Sequence, residues 1–286
     1  MTWAGHDGAL RLSVALVMLA AMAAWELAAP ARRAEMPRLL RWSNNLGMVA
    51  LDAALVRLLV PLSLSAFAAS VQARGWGLFA LTPLPGWAEA VLALVLLDLA
   101  IWAQHRAFHH VPLLWRLHRV HHSDPDIDAS TGLRFHPVEI LLSVGCKMAV
   151  IAALGAPPGA VLAFEVILNG LSLFNHANIR LPARVDRLLR LVVVTPDMHR
   201  VHHSEIRAET DSNFGFNLPW WDRLFGTYRD QPALGHQGMT PGIGAFRSAR
   251  DLWLDRLLLQ PLRDLPKAAP HQDGNQAADP DGPPGP

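Results

Sequence analysis

The sequence predicts an all-α integral membrane protein with four to five transmembrane helices and a cytoplasmic helical cap that carries clustered histidines. Of its 286 residues, 51% are hydrophobic and 17% are charged, and the mean hydropathy of +0.21 is too high for an ordinary soluble protein. Five apolar stretches approach membrane-spanning length. The formal net charge of +1 does not favour a nucleic-acid partner, and a single cysteine excludes a disulfide framework.

The five apolar stretches predict the long helices in chain order. Crossing the hydrocarbon core takes about 20 residues, within a range of about 17–25, and the first three stretches fit this length. The last two are near the lower limit of this range and are joined by a corner at residues 156–158, so they either cross the bilayer or form a hairpin that enters it deeply. The stretches occupy residues 10–29, 46–70, 87–104, 138–155 and 159–176.

Charged residues beside these stretches predict the orientation. Only Arg11 precedes the apolar core of the first stretch, whereas Arg32 and Arg33 follow it, so we expect an uncleaved span rather than a signal peptide. The positive-inside rule places the N-terminus outside and the histidine clusters on the cytoplasmic side of what we expect to be a bacterial inner membrane. The arginine-rich loops are 30–45, 105–137 and 177–190, and they alternate with the weakly charged loops 71–86 and 156–158.

The hexapeptide HRVHHS occurs twice, at residues 118–123 and 199–204. Each copy places three imidazoles at relative positions 1, 4 and 5, which share a helix face and predict a three-nitrogen cluster. Another pair of histidines, four residues apart, lies just upstream of the first copy. Eight imidazoles exceed what one ion needs and predict a two-metal site. They belong to His105, His109, His118, His121, His122, His199, His202 and His203.

Proline and capping residues predict the helices that carry these histidines. The third apolar helix should continue past the membrane, because a helical stripe runs along its C-terminal part. Pro112 fits the first position of the helix that carries the first hexapeptide. Thr195 as N-cap and Pro196 as first residue predict the start of the helix with the second hexapeptide. The stripe consists of Asp98, Trp102, His105 and His109.

Two of the apolar stretches carry polar stripes at helical spacing. Ionisable groups are costly at membrane depth and usually face the interior of a bundle, so both stripes should point inward beneath the metal site. Lys147 would then need an acidic partner, either Glu165 or Asp98. The alternative is that the stripes only hold helices together. They comprise His136, Glu139, Ser143 and Lys147 in the fourth stretch, and Glu165, Asn169, Ser172 and His176 in the fifth.

Several other residues are expected to have structural roles. Asp52 and Arg57 are five residues apart and do not share a helix face, so they should not form a pair. His110 departs from the motif spacing and should lie outside the metal site. An aromatic segment should pack the cap against the helices or, alternatively, touch the membrane interface. This segment contains Trp220, Trp221, Asp222 and Phe225.

Four motif-bearing segments follow one another along the chain. Residues 98–122 end in HRAFHHVPLLWRLHRVHH, residues 131–139 read TGLRFHPVE, residues 175–204 contain NHANIRLP and VVVTPDMHRVHHS, and residues 213–228 read NFGFNLPWWDRLFGTY. This ordered set resembles the fatty acid hydroxylase / sterol desaturase superfamily of integral-membrane di-iron oxidoreductases. The resemblance covers about residues 92–229.

The resemblance implies that the eight histidines bind two iron ions (Fe2+/Fe3+), with O2 as co-substrate. It implies hydroxylation or desaturation of a lipid, whether sterol, fatty acyl, carotenoid or ether lipid. Electrons would come from an external donor, a ferredoxin or a cytochrome b5-like protein with its reductase. No catalytic residue beyond the di-iron centre is expected.

Further ligands and supporting residues also follow from the resemblance. His176 would be a ninth ligand. Some relatives carry a second histidine near it, where this chain has Ser172 or Arg180, so His136 is the substitute candidate. Asp98 is expected to orient an imidazole. The residues expected to support the ligands are Asp98, Glu139, Glu165 and Asn169.

The sequence divides into four parts. We predict an N-terminal transmembrane region at residues 1–91, a di-iron catalytic domain at 92–229 and a C-terminal cytoplasmic segment at 230–265. Residues 266–286 are rich in Pro, Gly, Asp and Gln without periodicity, which predicts a disordered tail.

Three other functions compete with this interpretation. An acyl-lipid or acyl-CoA desaturase shares the three histidine boxes, but the WDRLFGTY ending argues against it. A non-catalytic metal-binding membrane protein or metal transporter is possible in principle, although a transporter would place its ligands near the bilayer midplane. A zinc-dependent membrane hydrolase would need a carboxylate base beside an open zinc position, and no HExxH motif occurs.

Overall fold

The computed structural model describes residues 4–82 and 84–265, and these residues form helices and turns, with one isolated β-bridge between Ser204 and Pro241. The predicted all-α fold is therefore confirmed. The predicted disordered tail at residues 266–286 lies outside the described residues. The α-helices are α1 (Ala4–Ala28), α2 (Arg38–Leu59), α3 (Leu64–Ala73), α4 (Leu78–Leu81), α5 (Gly86–His110), α6 (Pro112–His122), α7 (Pro137–Leu154), α8 (Pro158–His176), α9 (Ala183–Leu189), α10 (Pro196–His202), α11 (Arg207–Thr210), α12 (Trp220–Leu224), α13 (Gly235–Gly238) and α14 (Leu254–Leu259). Short 3-10 helices cover Ala129–Leu133, Ala249–Leu252 and Gln260–Leu262.

Five helical segments are long and apolar enough to cross a membrane, as the sequence predicts. They correspond to α1, the α2–α4 region, α5, α7 and α8. α8 lies at the centre, in contact with α1, α3 and α5. Large apolar side chains on the outside of the bundle, such as Val17 and Leu27 at 68% and 72% exposed, fit a lipid-facing surface.

The predicted second span, residues 46–70, is not one continuous helix. α2 ends at Leu59 and α3 begins at Leu64. Pro61 lacks the N–H that a continuing helix would need, and Ser63 caps the new helix by accepting a hydrogen bond from the Ala66 N–H at 3.2 Å. The apolar pattern alone does not show this break, because apolar residues continue on both sides of it.

A buried ionic network connects α2 to the loop after α6. The Arg41 guanidinium donates to both carboxylate oxygens of Asp124 at 2.7 and 2.9 Å, and to Asp128 at 2.5 Å. Arg41 and Asp124 are almost fully buried. Asp128 also caps the 3-10 helix Ala129–Leu133, which packs against α8. The network therefore fixes a polar segment beneath the histidine-bearing helices.

The opposite end of the bundle depends on a close contact between two glycines. Gly77 has a φ of +97°, and a Cβ placed on it would lie 2.1 Å from the backbone nitrogen of Gly155. Gly155 itself has a φ of +69° and ends α7. A side chain at either position would push apart the loop before α4 and the end of α7.

Candidate metal centre

Four helices carry histidines to one end of the bundle. His105 and His109 lie on the last turns of α5, and His176 ends α8. α6 and α10 carry the two hexapeptides and begin at Pro112 and Pro196, as predicted. Thr195 caps α10 by accepting a hydrogen bond from the Met198 N–H at 3.4 Å. These starts place each hexapeptide on a short, rigid helix above the membrane bundle.

Nine histidines converge into two neighbouring groups. Within each group the possible ligand atoms lie within 4.8 Å of one another, and every member is buried. We call them the five-histidine group and the four-histidine group. The first contains His105, His109, His118, His122 and His202, and the second contains His121, His176, His199 and His203.

The two hexapeptides share their ligands between the groups. In the first copy His118 and His122 belong to the five-histidine group, whereas His121 belongs to the other. In the second copy His199 and His203 belong to the four-histidine group, and His202 to the other. The prediction that each copy forms one three-nitrogen cluster is therefore wrong. A helix turns by about 100° per residue, so relative positions 4 and 5 point in clearly different directions.

The groups share a wall of imidazole rings. The His122 ring stacks on His203 with 4.5 Å between centroids. His122 also lies 4.6 Å from His202, and His121 lies 4.7 Å from His203. This proximity is what a centre with two adjacent ions requires.

Hydrogen bonds fix the orientation of several rings. The Nδ1 atoms of His105 and His202 lie 2.7 Å from the carbonyl oxygens of Phe214 and Ser212. His176 Nδ1 likewise lies 2.7 Å from the carbonyl of Ser172. A carbonyl can only accept, so Nδ1 carries the proton in these rings and Nε2 keeps its lone pair. Metal-binding histidines are usually held in this way.

The free lone pairs point at one another. Nε2 of His176 lies 3.1 Å from Nε2 of His121 and 3.0 Å from Nε2 of His199. His105 and His118 approach through their Nε2 atoms at 3.0 Å. Among the described residues, buried imidazole nitrogens of His122 and His203 have no hydrogen-bond partner. A cation between the lone pairs would satisfy them, so the donor set fits metal ions.

Burial keeps these histidines neutral and therefore able to bind a cation. Burial lowers the pKa of His118 to about 3. Burial, together with the neighbouring histidines, lowers the pKa of five further rings well below the usual value, so all remain unprotonated near neutral pH. These rings belong to His121, His122, His199, His202 and His203.

His136 is not among the converging donors, and the expectation that it replaces a missing ligand is corrected. Its Nδ1 accepts a hydrogen bond from the Val138 N–H at 3.2 Å, and its Nε2 lies 3.2 Å from the Leu258 carbonyl. Pro137 is the first residue of α7, so residue 136 is the N-cap and its ring turns back onto its own helix. The helical stripe drawn through His136 extended α7 one residue too far.

Glu139 and Asp98 were both expected to support the ligand histidines, but only the first contacts one. The Glu139 carboxyl lies 2.6 Å from His118 Nδ1 and thus contacts a ligand histidine directly. Asp98 instead accepts hydrogen bonds from Trp221 Nε1 at 2.8 Å and from the Leu218 N–H at 3.3 Å. The expectation that Asp98 orients an imidazole is therefore corrected. Its carboxyl holds the aromatic segment against α5.

Glu165 and Asn169 lie below the histidines rather than beside them. Glu165 pairs with Arg11 at 3.1 Å and lies 3.9 Å from Lys147, which identifies it as the acidic partner of that lysine. Asn169 lines a cavity in the bundle. The polar stripes thus face inward, as expected, and one of them ends at His176 itself. Among the described residues, Glu139 is the carboxyl of these stripes that contacts a ligand histidine.

Asp222 supports the site in a way that the sequence reasoning missed. Its carboxylate accepts hydrogen bonds from Trp102 Nε1 at 3.0 Å and from the backbone N–H groups of Phe214 and Gly215 at 2.9 and 2.8 Å. Phe214 in turn presents its carbonyl to His105. Asp222 is fully buried, and its position directly after two tryptophans in the WWDRLFGT segment is the sequence signal that points to it.

A cavity of about 380 Å³ lies beneath the histidines, between α1, α2, α5, α7 and α8. His105 and His118 line one end. Lys147 also lines it and lies eight residues beyond Glu139 on α7, roughly 12 Å further along the bundle. Apolar side chains form much of the wall between them, including those of Val56, Ile101, Val144, Leu168 and Phe216.

Comparison with known proteins agrees with this architecture. Residues 90–227 match the family model described as fatty acid hydroxylase, which confirms the resemblance seen in the motifs. The chain is 33% identical over 144 residues to ornithine lipid hydroxylase OlsE of Rhizobium tropici, covering 50% of this chain and 43% of the relative. It is 32% identical over 163 residues to human alkylglycerol monooxygenase, covering 56% and 34%. It is 29% identical over 146 residues to cholesterol 25-hydroxylase of Rattus norvegicus, covering 50% and 48%.

The chain thus spans less than half the length of these curated relatives. No solved structure matches it significantly.

Proposed function

We propose that this chain, whose residues 90–227 match the fatty acid hydroxylase family model, is a membrane-bound di-iron oxidoreductase that uses O2 and external electrons to oxidise a lipid. The single observation that carries the proposal is the convergence of nine buried imidazoles into two adjacent groups. Several of these rings have a hydrogen bond fixing Nδ1, which leaves Nε2 free to bind a cation.

The nine histidines would hold two iron ions, one in each group. Neutral imidazole suits iron and leaves its positive charge uncancelled. Bound iron would supply the activation of O2 and the abstraction of hydrogen from an unactivated C–H bond. Of the residues expected to support the ligands, Glu139 is the one whose carboxyl contacts a ligand ring, that of His118.

The protein itself would bind, orient and shield the substrate. The cavity beneath the five-histidine group gives an alkyl chain a largely apolar path that ends at His105 and His118. Phe108 and Phe216 line this end of the cavity and help exclude water from it. Holding the substrate carbon close to the ligands supplies the proximity on which the reaction depends.

Three relatives suggest the reaction and the substrate class. Their names describe hydroxylation or monooxygenation of ornithine lipids, alkylglycerols and cholesterol. We therefore favour hydroxylation over desaturation, with a lipid that carries a polar group as substrate. The predicted division of the chain, with the catalytic domain at residues 92–229, remains part of this proposal.

We further propose that the N-terminus lies outside and the histidine groups face the cytoplasm of a bacterial inner membrane. Arg180, Arg184 and Arg187 are exposed at the histidine-bearing end, which supports this orientation.

Electrons would come from a ferredoxin or a cytochrome b5-like donor with its reductase. The single cysteine cannot bind an iron–sulfur cluster held by four cysteines, so the sequence indicates no such cluster of its own.

A metal transporter or a non-catalytic metal-binding membrane protein is the competing function. A transporter would be expected to bind its ion near the middle of the membrane. Here the histidines lie on the terminal turns of α5 and α8 and on the short helices α6 and α10. This position favours the oxidoreductase.

Metal analysis and lipid mass spectrometry test the proposal together. Protein purified from iron-supplied cells should contain about two iron ions per chain, one for each histidine group. A deletion strain should lack a lipid that is heavier than its precursor by one oxygen atom. A lipid lighter by two hydrogens would instead show desaturation. A single tightly bound zinc ion, or an unchanged lipid profile, would contradict the proposed function.

A further inference from the structure

One carboxyl group in the membrane bundle has no evident structural role. Asp52 lies on α2, eleven residues from Arg41 and therefore roughly 16 Å along the helix from the ionic network. Its side chain is 5% exposed, and among the described residues neither carboxyl oxygen has a hydrogen-bond partner. The sequence suggested a structural role, but a structural carboxyl at this depth would be expected to have a donor.

Asp52 faces the cavity below the histidines. The residues of α2 that line the cavity form one stripe at helical spacing, which contains Val49, Asp52, Ala53 and Val56. The carboxyl thus interrupts an otherwise apolar face. It shares the cavity wall with Glu139, whose carboxyl oxygen Oε1 contacts His118.

The other charged groups lining the cavity already have partners. Glu165 pairs with Arg11 and approaches Lys147. Glu139 contacts His118 through one oxygen. Arg57, the nearest arginine along α2, donates to the Pro61 carbonyl at 3.1 Å and does not line the cavity. Asp52 is therefore the cavity carboxyl that remains free to accept hydrogen bonds through both oxygens.

We propose that Asp52 accepts a hydrogen bond from an O–H or N–H group of the lipid substrate. The inference rests on the proposed function and specifies its substrate class: a lipid whose hydroxyl or amine lies within the cavity, close to the carbon that is oxidised. An unsubstituted alkyl chain would leave the carboxyl without a partner and would bind more weakly. Recognition by Asp52 therefore selects oxidation near a polar group over oxidation in the middle of a plain chain.

Binding of matched lipids to the full-length protein tests this inference. The iron-loaded chain is placed in lipid nanodiscs without an electron donor, so that no turnover occurs. It is then titrated separately with a long-chain primary alcohol, the corresponding amine and the methyl ether of the alcohol. The ether has the same chain but cannot donate. Wild-type protein should bind the alcohol and the amine about tenfold more tightly than the ether, since one additional hydrogen bond to a buried acceptor is worth about this much.

Two variants separate the role of the charge from that of the acceptor. Asp52→Leu should abolish the preference by weakening alcohol and amine binding, with ether binding unchanged. Asp52→Asn keeps an acceptor oxygen, so it should retain a preference for the alcohol but lose most of that for the amine. Asp7→Asn is the matched control: Asp7 is also a buried carboxyl, but it accepts from Ser65 at 2.6 Å and does not line the cavity.

The outcomes distinguish this inference from the proposed function. An equal or stronger affinity of wild-type protein for the ether, or an unchanged preference in Asp52→Leu, would overturn the role of Asp52. Iron content and lipid oxidation, measured on the same preparations, test the proposed function separately. Loss of the preference in Asp52→Leu while iron content stays at the wild-type level supports the role of Asp52, because a collapsed site would lose both.

Discussion

At the scale of single residues, the candidate metal centre depends on the groups that hold the Nδ1 atoms of its imidazoles. Backbone carbonyls fix His105, His176 and His202, whereas His118 contacts the carboxyl of Glu139. Glu139 was predictable, because its spacing on α7 places it on the inward stripe. The role of Asp98 was not, because its partner Trp221 lies more than a hundred residues away in sequence.

Replacing Glu139 should weaken metal binding. We expect Glu139→Gln to lower iron affinity by about 10- to 100-fold, because the neutral amide orients and polarises His118 less well. Asp98→Asn is the matched control, since Asp98 contacts Trp221 and not an imidazole. Competition with a chelator measures both. Equal affinities for the two variants would contradict the assignment of Glu139.

At the scale of helices, the short histidine-bearing elements were predicted well and the second span was not. Pro112, Thr195 and Pro196 determine where α6 and α10 begin through local geometry alone. The break between α2 and α3 at Pro61 is also local, but a hydrophobicity pattern does not register it. Arg41, counted as a loop charge by the positive-inside rule, is instead buried in a tertiary network with Asp124.

The network around Arg41 gives a prediction for the stability of α2. Arg41→Met should lower the free energy of unfolding by about 3–5 kcal/mol, because it leaves Asp124 and Asp128 buried without their main cation. Arg57→Met on the same helix is the control, since among the described residues the Arg57 guanidinium donates its hydrogen bond to the nearby Pro61 carbonyl and to no carboxylate. Unfolding of the purified proteins in mixed micelles measures the difference. Two variants of equal stability would show that the network contributes little.

At the scale of the whole molecule, hydropathy and motif order together predicted the class of fold. They could not predict which histidines share an ion, because that depends on how α5, α6, α8 and α10 meet. The two hexapeptides are identical in sequence, so sequence alone treats them as equal units. Tertiary packing turns them to opposite sides of the centre.

The orientation of the bundle can be tested by cysteine labelling of intact cells. In a Cys146→Ala background, Arg74→Cys should react with a membrane-impermeant maleimide, because we expect the loop after α3 to lie outside. Arg184→Cys on α9 should react only after the cells are permeabilised. Both positions are exposed in the fold, so access to the reagent decides the result. The reverse pattern would place the histidine groups outside the cytoplasm.

The exchange of histidines between the two hexapeptides has a consequence for how the protein would load metal. Each hexapeptide gives two imidazoles to one histidine group and one to the other. An ion bound in the first group would therefore also fix the orientation of histidines that belong to the second group. Filling should therefore be cooperative, with few chains carrying a lone ion at limiting iron supply. Newly made protein should therefore be found almost entirely either without metal or with both ions bound.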